Sequence, residues 1–147
     1  MHPVRPHGRY EFAIIALVIL VLLPTGIARA VPRLAGMDGA VRALVVFRGD
    51  LIAGGDFTTA GASAASHIAR WDGAHWQPLG AGTNAPVRAL AVLGDKLCVG
   101  GDFTQAGGAE ASHIAFWDGA AWSPIGSGTD GPVHALLTQY GVFVYAG

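Results

Sequence analysis

The chain has 147 residues, of which 13% are charged, and its formal net charge is −1. Such a sparse and balanced charge lacks the clustered basic face of a nucleic-acid-binding protein, so we expect no nucleic-acid partner. The chain contains 22 glycines but only one cysteine, and a single cysteine cannot form an intramolecular disulfide.

Residues 1–30 predict an export signal. Arg5 and Arg9 precede an apolar run over 12–23, which ends before an Ala-Arg-Ala cleavage pattern at 28–30. This order is typical of a secretory signal peptide. The alternative is an uncleaved anchor, but twelve helical residues reach only about 18 Å, short of the roughly 20 residues that a bilayer core demands. We therefore expect a signal helix that meets the membrane only during export, and a secreted, periplasmic or cell-surface protein.

The rest of the chain repeats with a fixed period. Val-Arg-Ala-Leu begins at Val41 and Val87, and Val-His-Ala-Leu begins at Val133, so each step is 46 residues. Two full repeats share 28 identities in 46 positions. The predicted segments are a remnant of a preceding repeat at 31–40, a first repeat at 41–86, a second repeat at 87–132 and a truncated third repeat at 133–147.

Each full repeat contains four short runs that predict strands. In the first repeat these are Val41–Phe47, Leu51–Asp56, His67–Trp71 and Trp76–Leu79. Glycine-containing turns at 48–50 and 72–73 predict hairpins, so neighbouring strands are expected to be antiparallel. The longer connection at 57–66 is rich in Ala, Gly, Ser and Thr and predicts a surface loop.

A period in the forties with four strands is typical of a β-propeller blade. The predicted fold class is all-β, with about two and a half four-stranded antiparallel blades that form an incomplete propeller behind the signal helix. Propellers usually close with four to eight blades. The missing blades are expected from a longer chain, of which this sequence is a fragment, or from other copies; a short open stack is the third possibility.

The motifs Gly-Gly-Asp-Phe-Thr at Gly54 and Gly100, Ile-Ala-x-Trp-Asp-Gly, and Trp-x-Pro-(Leu/Ile)-Gly resemble the kelch-like β-propeller repeat. Similar repeats occur in secreted bacterial proteins, in fungal cortical polarity markers and in the central domain of galactose oxidase. The resemblance covers about 31–147. It implies four-stranded blades and an interaction or surface role, and it implies no reaction.

The recurring residues of the repeat predict structural roles. Glycines provide turns, aspartates are expected to accept backbone N–H bonds in the loops that follow, and tryptophans are expected to pack in the core. Calcium binding by the aspartates and a sugar-stacking platform of exposed tryptophans are the alternatives. The positions are Gly54, Gly55, Asp56, Trp71, Asp72, Gly73 and Trp76, with their copies Gly100, Gly101, Asp102, Trp117, Asp118, Gly119 and Trp122.

One column of charged residues is a candidate binding site. Arg42, Arg88 and His134 share a position on the first predicted strand, so they predict either a basic ring that binds anionic glycans or solvated strand ends. His67 and His113 also share a position, but neighbouring blades lie about 10 Å apart, too far for two ligands of one metal ion.

No catalytic or phosphate-binding motif is found in the sequence, and we expect no cofactor or metal. Cys98 aligns with Ile52 and Val144 and predicts a buried hydrophobe. The leading hypothesis is a non-catalytic exported repeat module that binds a protein or glycan partner. The alternatives are a fragment of a propeller oxidase or hydrolase whose active site lies elsewhere, a lectin-like propeller, and a remnant without function.

Overall fold

The computed structural model describes residues 36–139, and the backbone of 143–146. Within these residues the chain is all-β and contains no helix, as the repeat pattern predicts. None of the described segments is a helix long and apolar enough to cross a membrane. The predicted signal peptide and residues 31–35 of the predicted remnant lie outside the described part.

The first repeat forms a four-stranded antiparallel sheet with a small hairpin inserted in it. Its strands are β1 (Val41–Phe47), β2 (Asp50–Gly55), β3 (Thr59–Ala60), β4 (Ser63–Ala64), β5 (Ile68–Trp71) and β6 (Trp76–Pro78). The sheet order is β1-β2-β5-β6, and β3 pairs only with β4. The four predicted strands and their antiparallel order are therefore confirmed.

The second repeat reproduces the first 46 residues later. Its strands are β7 (Val87–Leu93), β8 (Lys96–Gly101), β9 (Gln105–Ala106), β10 (Ala109–Glu110), β11 (Ile114–Trp117) and β12 (Trp122–Pro124). The sheet order is β7-β8-β11-β12, with the hairpin β9-β10 inserted at the same point as in the first repeat. The same topology arises twice from two related stretches of sequence.

The third repeat contributes a two-stranded sheet, β13 (Leu136–Gln139) paired with β14 (Phe143–Ala146). The first strand begins three residues later than the repeat pattern predicts. Gln139 pairs with Phe143, whereas Leu93 pairs with Lys96 in the second repeat, so the third hairpin is displaced by one residue. Among the described strands β14 pairs on one side only, so no second neighbour fixes its register.

The connection at 57–66 was predicted as a surface loop, and five of its ten residues are exposed, but it folds into a short hairpin with a buried side. Phe57 and Ala60 are fully enclosed and Ala65 is 1% exposed. The connection forms the hairpin β3-β4, and the hydroxyl of Ser63 donates to the carbonyl of Trp76 on the edge strand β6. The connection is therefore a hairpin whose buried residues pack on its own sheet.

Successive sheets pack against each other through a glycine and a valine. A methyl group at Gly54 would lie 3.0 Å from the Cβ of Val87, and one at Gly100 would lie 3.0 Å from the Cβ of Val133. The first glycine of each pair is thus required by the next repeat. The second glycine is required by the residue that precedes its repeat, because a methyl at Gly55 would clash with the carbonyl of Ala40 and one at Gly101 with the carbonyl of Pro86.

The apolar core lies between the sheets. One cluster joins the first two repeats and includes Ile52, Ile68, Leu79 and Val87. A second cluster joins the second and third repeats through the corresponding residues, Cys98, Ile114, Ile125 and Val133. The interface between neighbouring repeats is therefore built twice from the same positions, and β7 contacts both β1 and β13.

Candidate functional site

The charged residues of the first strands form ion pairs with the aspartates of the Gly-Gly-Asp motif. Arg42 donates from Nη2 to Asp56 Oδ2 at 2.6 Å and from Nε to both carboxylate oxygens at 3.1 and 3.2 Å. Arg88 makes the same three bonds to Asp102, at 2.5, 3.1 and 3.2 Å. The candidate basic column and the candidate loop aspartates thus form a single feature.

A β-bulge brings these side chains together. Val41 pairs with Gly55 and Ala43 pairs with Gly54, so Arg42 is an extra residue in the ladder; Arg88 is the extra residue of the second repeat. A bulge turns a side chain out of the regular alternation. It lets each arginine reach the aspartate that follows the second glycine.

The prediction for Asp56 and Asp102 was therefore wrong about their partners. These carboxylates accept hydrogen bonds from arginine instead of tying down the following loop. The bond from Arg42 holds the pKa of Asp56 below its usual range, although burial opposes this effect. The bond from Arg88 does the same for the pKa of Asp102.

His134 extends the series into the third repeat. Arg88 also contributes to lowering the pKa of Asp56, and His134 contributes to lowering the pKa of Asp102, so each carboxylate interacts with a side chain of its own repeat and with one of the next. We call this series the charged row; it comprises Arg42, Asp56, Arg88, Asp102 and His134. The paired side chains are 26–45% exposed, so the row is accessible from solvent.

Two residues that were not predicted from the sequence hold the loops beside the charged row by hydrogen bonds. Asp38 accepts bonds from the backbone N–H groups of Thr58 and Thr59 at 2.7 and 2.8 Å. Asn84 accepts from Thr104 and Gln105, each at 2.9 Å. The signal was present in the sequence, because Asp38, Asn84 and Asp130 are spaced by 46 residues.

The hydrogen bonds to Asp38 lower the pKa of its carboxyl. The hydroxyl of Thr58 and the two backbone N–H groups lower its pKa from 3.8 to about 2. The bridge between Met37 and Ala60 repeats as Thr83 with Ala106. Residues 36–40 therefore contact the first repeat in the same way as the last residues of the first repeat contact the second. They form only this bridge and no strand.

The hairpin aspartates have the predicted role. Asp72 Oδ1 accepts the N–H groups of Ala74 and His75 at 2.8 and 2.9 Å. Asp118 does the same for the two alanines that follow Gly119, and Gly73 and Gly119 have φ angles of 96° and 99°. These residues shape turns, and their bonds lower the pKa of both aspartates.

Three of the four tryptophans are buried, as the core prediction requires. Trp71, Trp76 and Trp117 are 5–8% exposed, and each pairs with its neighbour across the hairpin with ring centroids 5.3 to 5.5 Å apart. Trp122 is half-buried, and its indole N–H donates to the carbonyl of Leu79 in the first repeat at 2.9 Å. The rings therefore do not present the stacked platform that a sugar would need.

The repeated histidines stand where the inserted hairpin returns to the sheet. His67 and His113 both adopt φ of 65°. The carbonyl of His67 accepts from Gly55, and its N–H donates to Phe57. No group of three or more His, Cys, Asp or Glu side chains in the described part of the chain could hold a metal ion.

Cys98 is completely buried in the second core cluster, as predicted from its alignment with Ile52. Burial raises the pKa of its thiol to about 12.

Neither a family model, nor a curated protein, nor a solved structure matches this chain.

Proposed function

We propose that this chain is a non-catalytic, exported module of β-propeller type that binds a protein partner along the charged row. The kelch-like resemblance of the repeat supports the propeller, and the pattern at 1–30 supports export. The main observation in support of the proposal is that the same interface between neighbouring repeats forms twice. Val87 packs on Gly54 in the first interface, and Val133 packs on Gly100 in the second. In such an arrangement the first strands lie side by side, and β7 contacts both β1 and β13.

The charged row favours a protein over an anionic glycan. Arg42 and Arg88 are each bound by a carboxylate, so their positive charge is largely neutralised. A polyanion would have to displace Asp56 and Asp102, whereas a protein surface that carries both signs of charge can complement the alternating pattern. The fastened loops beside the row supply further polar contacts at a low cost in conformational entropy.

A charge-swap experiment tests this role. In the swapped variant Arg42→Asp with Asp56→Arg, the ion pair is kept and its direction is reversed. In the neutral variant Arg42→Gln with Asp56→Asn, the pair is lost. The measurements are thermal unfolding of the purified chain and photo-cross-linking to cell-envelope proteins, with the cross-linking group placed at the exposed Ala62 between β3 and β4.

If the row binds a protein, the swapped variant keeps the melting temperature within a few degrees and loses the cross-links. Retention of the cross-links in both variants would contradict the proposed surface. Fractionation of the producing cells tests export separately, because an exported chain begins at Val31 by intact mass.

A further inference from the structure

Arg88 is the central cation of the charged row and has a described repeat on each side. Its strand, β7, contacts β1 of the first repeat and β13 of the third. The side chain of Arg88 is 27% exposed, against 45% for that of Arg42, and the side chain of its partner Asp102 is 26% exposed. The ion pair in the middle of the row is therefore the more sheltered of the two, yet solvent still reaches it.

Asp102 occupies only one edge of the Arg88 guanidinium. All three bonds to the carboxylate come from Nε and Nη2, which form the side edge of the planar group. A guanidinium carries five N–H donors in a fixed fork, so the end edge formed by Nη1 and Nη2 can bind a second carboxylate. Within the described part of the chain, Nη1 of Arg88 donates no hydrogen bond. The end edge is thus available to a ligand.

The pairing with Asp102 also fixes the orientation of that edge. The backbone N–H of Asp102 donates to the carbonyl of Pro86 at 2.9 Å, and the bulge at Arg88 places the two side chains beside each other. The guanidinium is therefore oriented before a ligand arrives. Binding at such a group costs less side-chain entropy than binding at an unpaired arginine.

The charges around Arg88 disfavour a purely acidic ligand. Asp102 and, from the first repeat, Asp56 both act electrostatically on the guanidinium. An incoming carboxylate is attracted by Arg88 but repelled by these two aspartates. A basic side chain that accompanies the carboxylate offsets the repulsion if it contacts Asp56, whose side chain is 31% exposed. The site thus matches a ligand that carries both signs of charge.

We propose that the end edge of Arg88 binds a glutamate or aspartate side chain of the partner, while a basic side chain of the same partner segment contacts Asp56. The partner class is therefore a polypeptide segment that presents an acidic and a basic residue on one face. This inference rests on the proposed function, because it names the chemistry that the charged row recognises in its protein partner.

An NMR titration of the purified chain with short peptides tests the proposal. The probe is Glu-Thr-Lys with both ends blocked, because residues two apart in an extended segment point to the same side. Two blocked control peptides are Gln-Thr-Lys, which lacks the carboxylate, and Glu-Thr-Glu, which lacks the cation. Unblocked Gln-Thr-Lys offers a terminal carboxylate instead of a side-chain one. The readout is the shift of the side-chain N–H signals of Arg88 and of the backbone N–H signal of Asp102.

Glu-Thr-Lys is expected to shift these signals and to bind about tenfold more tightly than each control peptide, an effect typical of a hydrogen bond to a charged group. Arg88→Lys keeps the charge but lacks the planar fork, so it should weaken the binding of Glu-Thr-Lys by a similar factor. Arg70→Lys is the matched control, because Arg70 pairs with Asp50 outside the charged row, and it should leave the affinity unchanged. Circular dichroism checks that both variants fold, and the peptide comparison decides the outcome if Arg88→Lys does not.

Four results would overturn the proposal. They are no shift with Glu-Thr-Lys up to its solubility limit, a blocked control peptide that binds as tightly as Glu-Thr-Lys, tighter binding of unblocked Gln-Thr-Lys, and unchanged affinity in Arg88→Lys. None of them would contradict the protein-binding role of the charged row, which the swap of Arg42 and Asp56 tests through the cross-links. Cross-links that depend on the swap, with no peptide bound at Arg88, would reject only the chemistry proposed here.

Discussion

Val87 packs directly on the α-carbon of Gly54, and the surrounding atoms leave no space for a methyl group between them. The same relationship recurs between Val133 and Gly100. A glycine in the middle of a paired strand weakens that strand, so its presence in β2 and β8 has a packing cause. The neighbouring repeat supplies the side chain that the glycine lacks.

The substitution Gly54→Ala is expected to lower the free energy of unfolding by about 1–3 kcal/mol, the usual cost of overpacking a core. The added methyl would force Val87 or the second sheet to shift. Urea denaturation followed by tryptophan fluorescence measures the change. Gly131→Ala is the matched control, because no heavy atom lies within 4 Å of the methyl it would add, and it should stay within about 0.5 kcal/mol of the wild type.

The ion pair between Arg88 and Asp102 predicts a pH dependence of stability. The pair lowers the pKa of the folded carboxyl, and an unfolded aspartate titrates near about 3.9. The stabilisation is therefore complete above pH of about 4 and is lost as the pH falls through the lower folded pKa. Because both side chains are partly exposed, the effect should amount to about 0.2–1 kcal/mol.

The measurement compares unfolding free energies of the wild type and Asp102→Asn from pH 7 down to pH 2. The difference between them should shrink below pH 4, and added salt should reduce it at pH 7. Curves that remain parallel over the whole range would show that the pair contributes no net stability.

Asn84 is expected to hold the hairpin β9-β10 in place. Asn84→Ala removes the acceptor of two backbone N–H groups and should cost about 0.5–1.5 kcal/mol for each bond. Hydrogen exchange at Thr104 and Gln105 should accelerate. Asn84→Asp is the matched control, because Asp38 makes the same bonds in the first repeat; equal exchange in all three chains would contradict the assignment.

Cys98 is expected to be inert while the chain is folded. Its side chain is fully enclosed, and burial raises its thiol pKa to about 12, so almost no thiolate is present at neutral pH. Labelling by a thiol-reactive disulfide reagent should be at least a hundredfold slower than in urea. Cys98→Val should fold normally, whereas labelling of the native chain at the unfolded rate would contradict the buried position.

Much of the fold follows from local sequence. The strand β1 was predicted with its observed bounds because apolar residues fill it and a turn at Arg48 and Gly49 ends it. Both turn residues have positive φ, 53° and 88°, which matches a two-residue hairpin. The antiparallel order within each repeat follows from these short connections.

The features that the sequence did not reveal depend on contacts between distant residues. The pairing of Arg42 with Asp56 needs a bulge in the ladder, and no residue pattern on β1 alone specifies one. The inserted hairpin was mistaken for a loop because Ala60 and Ala65 look like loop residues until the sheet that buries them is known. The displaced register of β14 was not predicted either, because the third repeat was aligned on the first two without a shift.

The most direct test of stacked repeats is a double-mutant cycle between Gly54 and Val87, with urea unfolding of Gly54→Ala, Val87→Ala and the double variant. If the second sheet packs on the first through this contact, Val87→Ala creates room for the new methyl. The double variant should then be more stable than the sum of the single effects predicts by about 1 kcal/mol or more, a coupling typical of residues in contact. Additive effects within about 0.5 kcal/mol, the range of independent sites, would contradict the stacking of the two repeats.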